Sequence, residues 1–150
     1  EPLQACALFK DFTETGLRIF AAIATERSVS AGTPLFSESA AGEALFIVKK
    51  GTVRLALKTP AGERELAVAG PGEHLGALAL LGKSTRLVSA VAASDCEVVE
   101  IAQKDFARLQ PQKPQACLKL ALAIAGDVAA RAAETRDLLR ELATRKPAGP

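Results

Sequence analysis

The chain has 150 residues, of which 49% are hydrophobic and 24% are charged, and its formal net charge is +2. This length and composition predict a single domain, residues 1–150, with a sizeable buried core. The small net charge does not by itself indicate nucleic-acid binding. No apolar run approaches the roughly 18 residues that a membrane-spanning helix needs, so we expect no membrane partner.

Side chains with reactive or metal-binding chemistry are few. Cys6, Cys96 and Cys117 lack metal-ligand spacing, and we interpret them as small apolar residues in a reducing, cytoplasmic compartment. His74 is the single histidine, and we interpret it as a loop residue at the rim of a pocket. With no carboxylate pair in a predicted pocket, the sequence does not favour an enzyme. Because the chain begins at Glu1 and contains no methionine, we expect a trimmed or partial product.

The first predicted element is a helix near the N-terminus. The segment from Leu8 to Ala24 carries apolar residues at helical spacing, with Thr13 as a candidate N-cap. These apolar residues are Leu17, Phe20, Ala21 and Ala24.

From Arg27 to Ile101 the chain has the pattern of a β structure. Glycine and proline recur every several residues, and between them lie short runs rich in β-branched and apolar residues. Strand-length runs at this spacing predict an all-β sandwich or barrel of about eight strands. The clearest runs are Leu45–Val48, Val53–Leu57, Glu65–Val68 and Glu97–Ile101, and Thr59–Glu63 is a predicted hairpin tip.

The remaining chain is predicted to be helical. Lys104–Leu109 is a short helix that Pro111 and Pro114 separate from the next element. The run from about Gln115 to Thr144 is rich in Ala, Leu, Arg and Glu and predicts one long helix. We expect residues 146–150 to be disordered. The predicted fold is therefore a mainly β barrel or jelly roll, flanked by an N-terminal, a short and a long C-terminal helix.

The long helix carries two apolar stripes, which together predict a homodimer. The first has the alternating three-four spacing of a coiled-coil seam and is expected to contact a second copy. Its residues are Ala121, Ile124, Val128, Arg131, Thr135, Leu138 and Leu142. The second stripe is expected to pack on the domain itself. Its residues are Leu118, Leu122, Ala125, Ala129 and Ala132. Alternatively, both stripes wrap the helix around its own domain.

Two segments, Val29–Leu55 and Gly72–Ala93, resemble the cyclic nucleotide-binding domain family when they are taken in that order. The family includes catabolite-activator-type regulators of bacteria, kinase regulatory subunits and some channels. In the first segment, glycines and apolar residues stand at the family's spacing, which implies the jelly-roll fold. They are Gly32, Leu35, Phe36, Gly42, Phe46, Ile47, Gly51 and Val53.

The second segment resembles the family's phosphate-binding cassette, in which a short helix and an arginine contact a cyclic phosphate. The resemblance implies that Gly76 is the cassette's glycine, that residues 78–81, beginning with Leu78, form the helix, and that Arg86 contacts the phosphate. Ala77 stands where the family has a glutamate for the ribose 2′-hydroxyl. Leu87 stands at a hydroxyl position and offers only its backbone N–H.

The missing acid implies weaker binding of cyclic AMP or cyclic GMP. A hydrogen bond to a charged group contributes about 1.5–3 kcal/mol, so its loss weakens affinity by about ten- to a few hundredfold. Glu73 is a poor substitute, because its position in the family faces solvent.

The resemblance therefore implies a sensor domain for a cyclic nucleotide or another phosphorylated small molecule, within a bacterial signalling or transcription regulator. The alternative is an interaction module that kept the fold and lost the ligand. DNA becomes a partner only if a further C-terminal domain exists.

Overall fold

The structure, a computed structural model, describes residues 2–145, so the prediction for residues 146–150 lies outside the described part. Two 3-10 helices, Pro2–Ala5 and Ala7–Phe9, precede helix α1, Glu14–Ala21. Helix α2 is Gln103–Leu109 and helix α3 is Pro114–Thr144, close to the predicted bounds. Within residues 2–145, no helix combines the length and apolarity that crossing a membrane would require.

Eight strands form two four-stranded antiparallel sheets. The strands are β1 Ala24–Val29, β2 Pro34–Phe36, β3 Ala44–Lys50, β4 Val53–Thr59, β5 Gly62–Ala69, β6 His74–Leu75, β7 Ser89–Ala92 and β8 Cys96–Ala102. The first sheet has the order β1-β8-β3-β6 and the second the order β2-β7-β4-β5. The predicted jelly roll is confirmed, but the two sheets do not close into a barrel.

The N-terminal helix is shorter than predicted. Thr13 is its N-cap, and its hydroxyl accepts the Gly16 N–H at 3.1 Å. The helix ends at Ala21, and Ala24 starts strand β1, which pairs with β8 over six residues. The prediction of helix up to Ala24 was therefore wrong, because pairing with a neighbouring strand outweighs helical spacing at the end of a short helix.

Strand β3, an inner strand of the first sheet, is buried on both faces. In β3, Ala44, Phe46 and Val48 point between the two sheets, whereas Leu45 and Ile47 point toward the helices. This arrangement explains the five consecutive buried residues at the start of β3, since a strand alternates its side chains between two faces. The molecule therefore has two cores, one between the sheets and one between the first sheet and the helices.

Only the first part of α3 packs on the domain. Cys117, Leu120 and Ile124 are buried, Val128 is half-buried against the same core, and all residues from 129 to 145 are exposed. Both predicted stripes therefore need correction. Ile124 belongs to the domain core, whereas Leu118 and Leu122, predicted to pack on the domain, are 59% and 63% exposed.

Ile124 and Val128 of the predicted seam pack on the domain, whereas its later residues, Arg131 to Leu142, are exposed as predicted. The packing partners of the first turns of α3 decide which of its faces meets the domain. Sequence spacing shows that two stripes exist but does not show which one meets the first sheet.

Candidate functional site

A cavity of about 280 Å³ lies between the second sheet and α3. One wall is formed by residues 74–79, another by residues 84–88, and α3 contributes Asp127, Val128 and Arg131. The structure thus brings together all five residues that the sequence singled out: Gly76, Ala77, Leu78, Arg86 and Leu87.

Gly76 sets the shape of the first wall. Its φ of +72° places it in the left-handed region, which is costly for residues with a side chain. The chain then enters a 3-10 helix, Ala77–Leu80, which begins one residue earlier than the sequence indicated. The first N–H groups of such a helix have no partner within it.

Arg86 is the only buried charged residue in the described part of the chain, with 7% of its surface exposed. Its Nη2 donates to the Ala44 carbonyl at 2.8 Å, and its Nη1 donates to the Gly76 carbonyl at 3.2 Å. The guanidinium carbon lies 4.1 Å from the centre of the Phe36 ring, a distance suited to a cation–π contact. Arg86 is thus fixed by carbonyls and a ring.

No carboxylate of residues 2–145 forms an ion pair with Arg86, and its buried Nε has no hydrogen-bond partner. Burial lowers the pKa of the guanidinium from its ordinary value, and the charges of Glu43 and Glu100 offset part of this effect. An arginine nevertheless keeps its proton. A fixed positive charge that pairs with no carboxylate of residues 2–145 therefore lines the cavity.

Gly76 and Arg86 fit each other closely. A Cβ atom built on Gly76 would lie 2.0 Å from Nη1 of Arg86, which is far inside van der Waals contact. A glycine at this position thus serves the left-handed turn and also leaves space for the guanidinium.

The neighbouring predicted residues differ in exposure. Ala77 is 7% exposed, whereas Leu78 and Leu87 are 38% and 72% exposed. Glu73 is exposed, and its carboxylate accepts the Gly70 N–H at 3.3 Å. Since this bond holds Glu73 in a turn before the cavity, Glu73 does not replace an acid at position 77.

At the opposite end of the cavity, three polar residues connect the first sheet to α3. Asp127 lies 3.6 Å from Nε2 of His74 and accepts a 2.9 Å hydrogen bond from Arg131. Burial lowers the pKa of His74, while the charge of Asp127 acts in the opposite direction. His74 was expected in a loop but stands in strand β6.

Sequence reasoning missed Asp127 and assigned Arg131 only to the predicted seam. Both lie more than 50 residues from His74 in the chain, so local spacing could not bring them together. The four-residue separation of Asp127 and Arg131 is typical of a helical ion pair and was the one available signal.

Two larger surface grooves lack a comparable feature. One, of about 470 Å³, lies between α1 and the start of α3, and the other, of about 480 Å³, lies between residues 7–12 and α3. Lys119 borders both, and it already donates to the Asp11 carbonyl. Within residues 2–145, no cluster of three His, Cys, Asp or Glu residues is arranged to hold a metal ion.

The two-sheet jelly roll brings a glycine turn, a short helix and a buried arginine together at one cavity. Residues 26–112, more than half of the chain, match the family model described as the cyclic nucleotide-binding domain. The chain therefore belongs to the cyclic nucleotide-binding domain family.

Relatives and solved structures agree with this assignment. The chain is 38% identical over 96 residues to the cyclic AMP receptor protein of Thermus thermophilus, covering 63% of this chain and 44% of that protein. It is 37% identical over 84 residues to the cAMP-dependent protein kinase regulatory subunit of Eremothecium gossypii, covering 56% of this chain and 18% of that protein. The chain thus spans less than half the length of these curated relatives.

Two solved structures share the fold over most of the chain. The catabolite activator protein of Thermus thermophilus superimposes with a TM-score of 0.80 at 31% identity, over 91% of this chain and 62% of that one. The N-terminal domain of a transcriptional regulator from Streptomyces coelicolor gives 0.78 at 27% identity, over 93% and 95% of the two chains.

Proposed function

We propose that residues 1–150 are a single ligand-sensing domain of a bacterial signalling or transcription regulator, in which Arg86 holds an anionic ligand. The observation that carries the proposal is the buried guanidinium of Arg86, which among residues 2–145 has no carboxylate partner and has an unpaired Nε. A buried charge is costly unless it is paired, so a bound anion would relieve this cost. Relatives named for cyclic AMP support a cyclic nucleotide or another phosphorylated molecule as the ligand.

The proposal includes weak binding of cyclic AMP or cyclic GMP. The N–H groups near Ala77 and Leu78 and the Arg86 guanidinium suit a phosphate. The methyl group of Ala77 cannot accept the hydrogen bond that a ribose hydroxyl would donate. A site with the anion contact but without the ribose contact should bind the whole nucleotide about ten- to a few hundredfold less tightly.

Isothermal titration calorimetry with cyclic AMP on three proteins tests this proposal. The unaltered domain should bind weakly, Ala77→Glu should bind at least about tenfold more tightly, and Arg86→Ala should show no binding. A dissociation constant below about 1 µM for the unaltered domain would contradict the role given to Ala77.

The second candidate function is an interaction module without a ligand. It is favoured by the two carbonyls and the Phe36 ring, which already contact the guanidinium of Arg86 from within the domain. If Ala77→Glu gains no affinity for cyclic AMP while Arg86→Ala loses nothing, this second function replaces the first.

We also propose that the domain forms a modest homodimer through α3. The exposed stripe has the three-four spacing of a coiled-coil seam and consists of Leu118, Leu122, Ala125, Ala129 and Ala132. Small alanines and the later Arg136 limit the apolar area, so we expect dissociation in the micromolar range. Asp127 and Arg131 border the cavity and belong to the same helix as the seam, so they connect ligand binding to dimer formation in this proposal.

A further inference from the structure

The donors of Arg86 are only partly used by the protein. A guanidinium has five N–H donors, and here one bond goes to Gly76 and one to Ala44. The buried Nε is left over, without a partner among residues 2–145. The residue is more than nine-tenths buried and lines the cavity, so an anionic group in this cavity would meet a guanidinium whose N–H donors are not all used.

The rest of the lining is chiefly apolar. Leu55, Leu75, Ala77, Val88 and Val128 contribute hydrocarbon surface. Such a wall favours a ligand body without hydroxyl groups, because a buried hydroxyl that finds no partner loses its hydrogen bonds to water.

The polar residues of the lining do not change this picture. His74, Asp127 and Arg131 are grouped at the α3 end, where they pair with one another. Ser84 and Thr85 contribute the remaining side-chain hydroxyls, and Thr85 is exposed to solvent.

Two leucines leave apolar surface uncovered where they line the cavity. Leu78 is 38% exposed and Leu87 is 72% exposed, and both belong to the lining. An apolar ligand body would cover part of this surface, and removing apolar surface from water is favourable. A sugar in the same place would gain much less.

The size of the cavity points the same way. Its volume of about 280 Å³ lies just below the range of about 300–1,000 Å³ that is typical of small-molecule sites. A single ring with an acidic group fits within such a volume.

We propose that the ligand of this domain is a small organic anion with an apolar body, whose acidic group pairs with Arg86 while its body contacts Leu78, Leu87 and Val88. This inference rests on the proposed sensing function and replaces the nucleotide by a smaller, less polar class of molecule. The anionic group is a carboxylate or a phosphate ester, and both chemistries provide oxygen acceptors for the free donors of Arg86.

Four probes test the proposal by calorimetry: phenyl phosphate, benzoate, ribose 5-phosphate and cyclic AMP. Phenyl phosphate and ribose 5-phosphate carry the same acidic group and differ in the body. We expect phenyl phosphate to bind at least about tenfold more tightly than ribose 5-phosphate. Comparison with benzoate then shows whether the phosphate or the carboxylate is the preferred group.

Variants of the exposed leucines test the contact surface without disturbing the core. Leu78→Ser and Leu87→Ser should each weaken the binding of phenyl phosphate by about three- to tenfold. The affinity for ribose 5-phosphate should stay unchanged in both variants. Leu66→Ser is the matched control, because Leu66 is 57% exposed on β5 and is absent from the cavity lining. It should bind phenyl phosphate like the unaltered protein.

The outcomes separate this inference from the sensing function itself. If ribose 5-phosphate or cyclic AMP binds as tightly as phenyl phosphate or benzoate, the apolar-anion class is wrong while sensing through Arg86 stands. Both proposals fail if no probe binds and millimolar phenyl phosphate leaves the unfolding temperature of the unaltered protein unchanged, as it would for Arg86→Gln. Equal affinity of Leu87→Ser and Leu66→Ser for phenyl phosphate also overturns the inference.

Discussion

The core between the first sheet and the helices, here called the helical core, contains only apolar and cysteine side chains. The region between the two sheets, by contrast, borders a buried arginine and a cavity. In the first, Phe20 is fully buried and its ring lies 5.7 Å from that of Phe9 and 6.3 Å from that of Phe106. In the second, the Phe36 ring lies under the Arg86 guanidinium.

The difference shows how the two regions divide stability and binding. Close packing of rings and aliphatic chains stabilises the helical core through buried apolar area. The region around Arg86 instead contains a buried charge that pairs with no carboxylate of residues 2–145. Substitutions in the helical core should therefore change the free energy of unfolding, while substitutions around Arg86 should chiefly change ligand binding.

The largest effect is expected from Phe20→Ala in the helical core. Removing a fully buried ring should lower the free energy of unfolding by about 3–5 kcal/mol, measured by urea denaturation. Leu66→Ala is the control, since Leu66 is mostly exposed and should change the value by less than about 0.5 kcal/mol. If the two variants lost the same free energy of unfolding, the core between the first sheet and the helices would not be the main source of stability.

A smaller effect is expected from Gly76→Ala at the cavity. The left-handed φ costs about 1–2 kcal/mol for a residue with a side chain, and the new methyl group would push Arg86 out of place. Gly32→Ala is the matched control, because Gly32 has a φ of +87° and no atom within 4 Å of a built Cβ. Both variants should lose stability, but only Gly76→Ala should lose binding of the anion probes. If Gly76→Ala bound the anion probes as tightly as the unaltered protein, Arg86 would not be part of the binding site.

A third apolar surface, the exposed stripe of α3, is tested by Leu122→Glu. It should weaken self-association by about tenfold or more, because it places a charge in the proposed seam, and sedimentation equilibrium measures this change. Leu66→Glu is the control, since Leu66 is similarly exposed but lies on strand β5 and not on α3. A monomer at high micromolar concentration before any substitution would contradict the proposed dimer.

The smallest effect concerns His74, whose pKa is lowered by burial. The folded state therefore binds this proton less readily than the unfolded state. The resulting stability is present above the ordinary pKa of about 6.5 and is lost as the pH falls through that value toward the lower folded pKa. As His74 is the single histidine, its ring protons report the folded pKa directly in an NMR titration.

The titration also tests the contact between His74 and α3. Asp127→Asn should lower the pKa of His74 further, because it removes a negative charge that favours the protonated ring. Asp137→Asn on the exposed part of α3 should leave the pKa unchanged. A rise of the pKa in Asp127→Asn would contradict the contact.

The sequence predicted the fold well because its signals are local. The hairpin tip at residues 59–63, the cap at Thr13 and the alternating strands each depend on neighbours in the chain, and all are present. The role of α3 was harder to predict, since Ile124 and Leu122 are both apolar and only the direction of packing tells them apart. The short strand β6 was missed because two residues give no periodicity.

The five residues that the sequence singled out line one cavity, but their contacts could not be predicted. Gly76 and Arg86 were found through the family's spacing, and the cavity brings them together. The contacts of Arg86 with the Ala44 carbonyl and the Phe36 ring join segments that are about 40 to 50 residues apart. The pairing of His74 with Asp127 depends on the same long-range folding, which spacing in the sequence does not encode.

The exposed part of α3 has a mechanical consequence. Residues 129–144 continue past the last half-buried residue, Val128, and at about 1.5 Å per residue they form a rod roughly 24 Å long. Asp127 and Arg131, at the base of this rod, border the cavity. A tilt of about 10° at the base would displace the tip of the rod by about 4 Å, so a small shift of Asp127 or Arg131 would become a larger displacement at the far end of the helix.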